Sequence, residues 1–351
     1  MEKAVTFAVA AYNAEKYLDT CLSSFLCPEV LGQIEVLVVD DGSTDGTAQI
    51  ARRFCKQHPG VFRLLSQENK GHGGALNTAF AQAAGKYLRP VDADDWVVTE
   101  NLPRYVQALN SAKADAVITS YHTVDMVSGK KRAFSCECEK AGREISLTEL
   151  MEVYDSIAPC CSFHGITYRA EMYRASGLRL SEHIFYEDQE YAALPFFQVK
   201  SVQILPFFLY QYQIGNGEQS VAFHNQVKRI SHIEQVVLRM MEYKRGIPAP
   251  SPGSLSYYFQ KLATTAVSYH ATALLKIPHK REGRRQSAIF FAEVEQQEPE
   301  VNRRISRKLK TLRLFSRLHL SPVLYQRLLD SGVYSVFKFL WIKKGLINGK
   351  I

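Results

Sequence analysis

Val38-Val39-Asp40-Asp41-Gly42-Ser43-Thr44-Asp45-Gly46-Thr47 decides how the chain is read. An apolar run stops abruptly at two carboxylates. A glycine turn follows, and then hydroxyl and acidic residues of the kind that cap a helix N-terminus. Such a stretch reads as a buried strand, a loop and the start of a helix. Working outward, Ala4 to Ala11 reads as a first strand, with a helix over Ala14 to Leu26. Glu35 to Val39 is the second strand, followed by a helix over Thr44 to Gln57. Phe62 to Ser66, a helix over Gly73 to Ala84, and a strand over Tyr87 to Val91 complete the series. Apolar strands alternating with helices predict an α/β fold: a mostly parallel, doubly wound sheet with helices on both faces. Ligands of such sheets lie at the carboxyl ends of the strands, so the chemistry is expected in the strand-to-helix loops.

Four of those loops carry reactive groups, and a fifth segment lies far downstream. After the first strand comes Ala11-Tyr12-Asn13, whose tyrosine can stack on a nucleobase or simply cap the strand. After the second, Asp40 and Asp41 follow buried valines and need partners there. Asp41 is read as a ligand contact, Asp45 as a helix cap. The third loop, Asn69-Lys70-Gly71-His72-Gly73-Gly74-Ala75-Leu76-Asn77, offers glycines for close backbone approach and a lysine beside a helix start, which suits a diphosphate. The fourth is Val91-Asp92-Ala93-Asp94-Asp95-Trp96. Three acids in four positions at the end of a buried strand repel one another unless a cation neutralises them. A divalent ion with oxygen ligands, shared with a diphosphate, does so; a solvated acidic turn is the alternative. The downstream segment, Ile184-Phe185-Tyr186-Glu187-Asp188-Gln189-Glu190, sets acids among aromatics. Such carboxyls titrate high and suit a general base, although acids also simply favour helix starts.

Taken together, Ala11-Tyr12-Asn13, Val39 to Gly46, Asn69-Lys70-Gly71, Asp92-Ala93-Asp94-Asp95 and Glu187-Asp188 resemble the inverting glycosyltransferases of family 2, which have the GT-A fold. The resemblance covers about residues 4 to 225. It implies a donor site with Tyr12 and Asp41 on uracil, Asp92 on the ribose or diphosphate, and Ala11, Asn13, Lys70, Gly71, Asn77 and Ala93 around them. Asp94 would be the metal ligand of the DxD motif, for Mn²⁺ or Mg²⁺, and Asp188 the catalytic base with Glu187 beside it. Tyr212 to Ser220, including Gln219 and Ser220, is similar to a loop that closes on the diphosphate, and His224 follows as a phosphate or metal contact. Leu76 stands where many members have arginine before the asparagine, so Lys70 is expected to take part of that role. The QxxRW motif of processive synthases is absent. The resemblance therefore implies hexosyl or N-acetylhexosaminyl transfer from a UDP-sugar to a glycan or lipid-linked acceptor, in cell-surface polysaccharide or teichoic acid synthesis. A non-catalytic nucleotide-sugar-binding protein and a nucleotidyltransferase are the competing readings.

The bulk properties agree with an ordinary globular enzyme: 351 residues, 46% hydrophobic, 22% charged, net charge +8 and a pI near 9.0. Seven cysteines without a CxxC pair predict free thiols. Val5 to Ala11 is too short for a signal peptide, so a cytoplasmic location is expected. The expected organisation is a catalytic domain over 1–225, with a nucleotide half to about 112 and an acceptor half over 113–225. A helical region over 226–351 follows. Its tail carries Arg303, Arg304, Arg307, Lys308, Lys310, Arg313 and Arg317, with Ile305, Leu309, Leu312 and Phe315 at helical spacing between them. A basic amphipathic helix suits the inner face of an anionic membrane, or it packs on its own protein with a solvated basic side. No nucleic-acid-binding module is recognisable, and nucleic acid is not an expected partner.

Overall fold

The computed structural model describes residues 3–215 and 223–320. Its core element is a 10-stranded sheet. β1 (Val5–Ala11), β2 (Ile34–Asp40), β3 (Phe62–Ser66) and β4 (Tyr87–Asp92) pair in parallel in the order β3-β2-β1-β4. All of β2 is buried, which is why Val36 to Val39 is an unbroken apolar run. The helices between these strands are α1 (Leu18–Ser23), α2 (Thr47–Gln57) and α3 (Gly71–Gln82). Chain order turns back on itself between β1 and β4, so the crevice at their carboxyl ends is the natural ligand site.

The second half of the sheet is mixed. β9 (Ile166–Arg169) enters antiparallel between β4 and β6 (Ala116–Asp125), and β10 (Ser201–Ile214) runs parallel to β6. The short β5 (Trp96–Val97), β7 (Lys131–Phe134) and β8 (Glu144–Ser146) join as antiparallel additions. The register of β10 shifts between Leu205 and Phe208 and again before Tyr210. Irregularities of this kind re-aim side chains, and Tyr210 is one that the site uses. α4 (Leu102–Ser111), α5 (Leu147–Ile157), α6 (Ala170–Ala175) and α7 (Asp188–Ala193) complete this half, α5 starting with a Ser146–Glu149 capping box.

Two compact units divide the chain differently from the expected break at 225. The first is 1–222 with 235–262, the second 223–234 with 263–351. α9 (Ile230–Arg245) and α10 (Pro252–Ala271) contribute to both. Residues 235–262 join the sheet-bearing unit because Tyr257 stacks on Phe196 at 3.8 Å and donates to the Ala192 carbonyl at 2.9 Å. The second unit also holds α8 (Phe223–Lys228), α11 (Lys280–Gln297) and α12 (Pro299–Arg317), with Leu274, Leu275, Leu309 and Leu312 as its apolar centre. The apolar stripe of the basic tail thus lies inside this unit; its cations face outward except Arg313, whose guanidinium lies over the Phe291 ring. All seven cysteines are free thiols. Among the described residues no helix is long and apolar enough to cross a membrane.

Replacing Tyr257 with Ala removes a fully buried ring and should cost about 3–5 kcal/mol of unfolding free energy. Chemical denaturation checks this, and a loss below about 1 kcal/mol contradicts the assigned packing.

Candidate active site

At the ends of β1 and β2 two loops brace each other. Asn13, at φ +48°, accepts from the Thr44 amide at 2.8 Å and donates its own amide to Ser43 Oγ at 3.0 Å. Asp40 accepts from the Ser43 amide at 3.1 Å. The buried Asp41 accepts from Gln67 Nε2 at 2.7 Å and from the Lys70 amide at 2.9 Å. This leaves Tyr12 54% exposed beside braced backbone, free to cover a flat ligand. Asp45 caps the start of α2 through the Thr47 amide at 2.9 Å.

The end of β4 carries the acids. Asp95 is fully buried; it accepts from Tyr210 Oη at 2.6 Å and from the Gln213 amide at 2.7 Å. Burial, then repulsion from Asp92 and Asp94, pushes its carboxyl well above the usual range. Asp92 and Asp94 are half-buried. Asp92, Asp95 and His164 each present a ligand atom within 4.8 Å of the others. Burial drives the His164 imidazole down to about 4, with Arg89 adding to the effect against the pull of Asp92. It is therefore neutral at physiological pH, the form that binds metal. Arg89, fully buried on β4, donates to the His164 carbonyl and to Thr167 Oγ1 at 3.1 Å, and so holds the histidine's backbone. Two carboxylates and a neutral imidazole around a buried repulsion fit a divalent cation of the Mn²⁺ type.

The glycine-rich loop serves packing as well as ligand access. Gly71 has φ +76°, and a Cβ there would lie 2.9 Å from the His183 amide nitrogen. A Cβ on Gly73 would meet the Ser181 carbonyl at 2.2 Å. Asn77, expected near the donor, spends its amide on Leu180: Nδ2 donates to the carbonyl at 2.9 Å and Oδ1 accepts from the amide at 2.8 Å. Lys70 is exposed at the start of α3, as a diphosphate contact requires.

These contacts dock the segment 180–188 against α3. Glu190 anchors it through Ser181, amide at 2.9 Å and hydroxyl at 2.7 Å. His183 and Tyr186 adopt positive φ, +58° and +74°. Backbone strain of this kind costs roughly 1–3 kcal/mol per residue and persists only where the surroundings enforce it. It delivers Glu187, buried, and Asp188, the first residue of α7. Burial, then the Glu187 charge, pushes Asp188 up to about 6, against Gln189, Lys261 and His72. His72 bridges the two acid groups: Nδ1 lies 2.5 Å from Glu187 Oε1 and Nε2 lies 2.8 Å from Asp92 Oδ1. The second contact is off the N–H direction, a close ion pair without hydrogen-bond geometry. Burial opposes the charge on this ring, yet Asp92 and Glu187 hold its pKa well above the ordinary value.

The structure thus gathers Asp92, Asp94, Glu187 and Asp188 around His72 and Asp95, and it sets Ala11, Tyr12, Asn13, Asp41, Lys70, Gly71 and Ala93 at neighbouring strand ends and loops. Gln219 and Ser220, and the side chain of His224, lie outside the described residues. His72, Arg89, His164 and Tyr210 were not singled out from the sequence. Only His72 sat within a recognised motif, and His164 has no local signal at all.

Residues 6–177 match the model of glycosyl transferase family 2, and this part of the chain belongs to that family. The chain is 33% identical over 152 residues to glycosyltransferase GlyG of Streptococcus pneumoniae serotype 4, covering 43% of this chain and 50% of that protein. It spans half the length or less of the first curated relatives it matches. Its fold is that of S. aureus TarS 1–349 in complex with UDP-GlcNAc, with TM-score 0.65 at 19% identity over 90% of this chain and 92% of that one. Mannosyltransferase PcManGT from Pyrobaculum calidifontis, in complex with GDP-Man and Mn²⁺, is similar at TM-score 0.51 and 17% identity over 91% and 87%.

Asp95→Asn and His164→Ala should each weaken Mn²⁺ binding at least about tenfold, as loss of a metal-site group does. Calorimetric titration checks this, and unchanged affinity in both variants contradicts the assigned cation site.

Proposed function

We propose that this chain is an inverting, metal-dependent glycosyltransferase that moves a hexosyl or N-acetylhexosaminyl group from a UDP-sugar to the hydroxyl of a glycan or lipid-linked acceptor in cell-surface polysaccharide synthesis. One observation carries the reading: an acid cluster that calls for a cation stands near Asp188, whose carboxyl is pushed up to about 6, and one histidine contacts both Asp92 of the cluster and Glu187, the residue directly before Asp188.

The geometry supports the following roles. Tyr12 covers the uracil, and Asp41, fixed by Gln67 and Lys70, meets its polar edge. Lys70 reaches the diphosphate from the start of α3. Asp92, Asp95 and His164 would hold the ion, with Asp94 of the DxD motif beside them; a bound Mn²⁺ or Mg²⁺ supplies positive charge to a leaving diphosphate. Asn77 acts indirectly, by fixing Leu180 and the acceptor loop. Asp188 takes the proton of the acceptor hydroxyl while that oxygen bonds to the anomeric carbon. The bond from that carbon to the UDP oxygen breaks on the opposite face, so one displacement inverts configuration. A carboxyl raised to about 6 is a better base than an ordinary aspartate and is still ionised at neutral pH.

A cytoplasmic site on the inner membrane face fits a lipid-linked acceptor. On α12 the exposed face carries Arg303, Arg304, Arg307, Lys308, Lys310 and Arg317, with Leu314 and Leu318 exposed among them. This face, rather than the buried apolar stripe, is the one that would rest on anionic lipid.

Asp188→Asn should lower turnover by about 100- to 10,000-fold and leave UDP affinity nearly unchanged. In the unaltered protein, turnover should rise with pH through about 6, because the base works only after losing its proton. Assays of UDP release over a panel of UDP-sugars check both. Substantial turnover by the Asn variant refutes the base, and pyrophosphate in place of UDP points to nucleotidyl transfer. The protein should sediment with anionic liposomes at low salt. Each basic residue near such a surface contributes about 1 kcal/mol, so neutralising Arg303, Arg307 and Lys310 should weaken binding roughly 100-fold. Protein that stays in the supernatant contradicts the membrane contact.

A further inference from the structure

We infer that His72 is a positioning residue that sets the cation-and-donor corner in register with the base; this rests on the reading of Asp188 above. The ring is the second residue of α3 and reaches the two halves of the site at once, Asp92 at the end of β4 and Glu187 in the strained loop before α7. Glu187 is buried and directly precedes Asp188, so whatever fixes Glu187 fixes the backbone that presents the base. The ring is itself held: Phe163 packs on it at 5.5 Å between centroids. Gly73 leaves room for Glu187, whose Cγ would stand 3.0 Å from a Cβ at that position.

An imidazole suits this task because it carries two nitrogens on opposite sides of one rigid ring. A flexible lysine or arginine could also meet two carboxylates, but it would lose more rotamer freedom in doing so than a rigid ring. Through the ring, a displacement of Asp92 is carried to Glu187 and on to Asp188. Donor loading and base placement are thereby linked by one side chain. No other role assigned above requires a contact on both sides of His72.

Asparagine reproduces the reach of Nδ1 and glutamine that of Nε2, so the two arms can be tested apart. His72→Ala should lower kcat about 10- to 100-fold, the range seen when groups that orient a site are removed. His72→Gln, which keeps the Asp92 arm, should retain a near-normal donor KM with lowered kcat. His72→Asn, which keeps the Glu187 arm, should recover part of the kcat. His72→Ala combined with Glu187→Gln should be no slower than the slower single variant, because the two act as one unit. Turnover of His72→Ala within about twofold of the unaltered protein, or losses that multiply, would overturn the inference. Absence of UDP release from the unaltered protein would instead defeat the proposed function. In that event amide exchange decides: His72→Ala should speed exchange across 183–190 and His72→Asn should restore it, and unchanged exchange would overturn the tie.

Discussion

A carboxylate buried between two other carboxylates is the constraint on which this site turns. Asp95 has no exposed surface, and both Asp92 and Asp94 raise its pKa. Such a group is tolerated when its oxygens are hydrogen-bonded and when positive charge is near. Tyr210 and the Gln213 amide meet the first need, and both come from β10. A bound cation would meet the second, and the buried Arg89 on β4 holds the carbonyl of His164, whose ring faces Asp92 and Asp95. The antiparallel entry of β9 next to β4 and the irregular register of β10 are what bring these partners to the acids. The mixed half of the sheet exists, in functional terms, to furnish the end of β4.

The segment that carries Asp188 is built by a different device. A loop with two non-glycine residues at positive φ is clamped onto α3 by Asn77 and two glycines that leave no room for a Cβ, and is tied to α7 through Glu190. The glycine-rich motif therefore does two jobs. Its backbone can approach a ligand, and its bare Cα atoms let the loop that carries Asp188 lie against the helix. His72, between those glycines, reaches to either side.

The parallel half of the fold was legible because strands buried on both faces are written as continuous apolar runs, as Val36 to Val39 shows. The acids were legible for a related reason: carboxylates directly after such runs demand an explanation. What stayed hidden was supplied across long sequence separations. His164 and Tyr210 reach Asp92 and Asp95 from β9's approach and from β10, and nothing in their neighbours' identity marks them. The tie from Asn77 to Leu180 stayed hidden for the same reason, its partner lying far along the chain. The tail shows the same limit in another form. Periodicity revealed the apolar stripe of α12, but not that Leu274 and Leu275 already cover it. The unit boundary moved for an equally non-local reason, the stacking of Tyr257 on Phe196.

Diffraction from crystals grown with UDP and Mn²⁺, recorded at a wavelength where manganese scatters anomalously, tests the central claim most directly. One anomalous peak is expected within coordinating distance of Asp92, Asp95 and His164, with a phosphate oxygen completing the set. UDP bound with its metal held away from these three side chains, or with none there at full Mn²⁺, would contradict it.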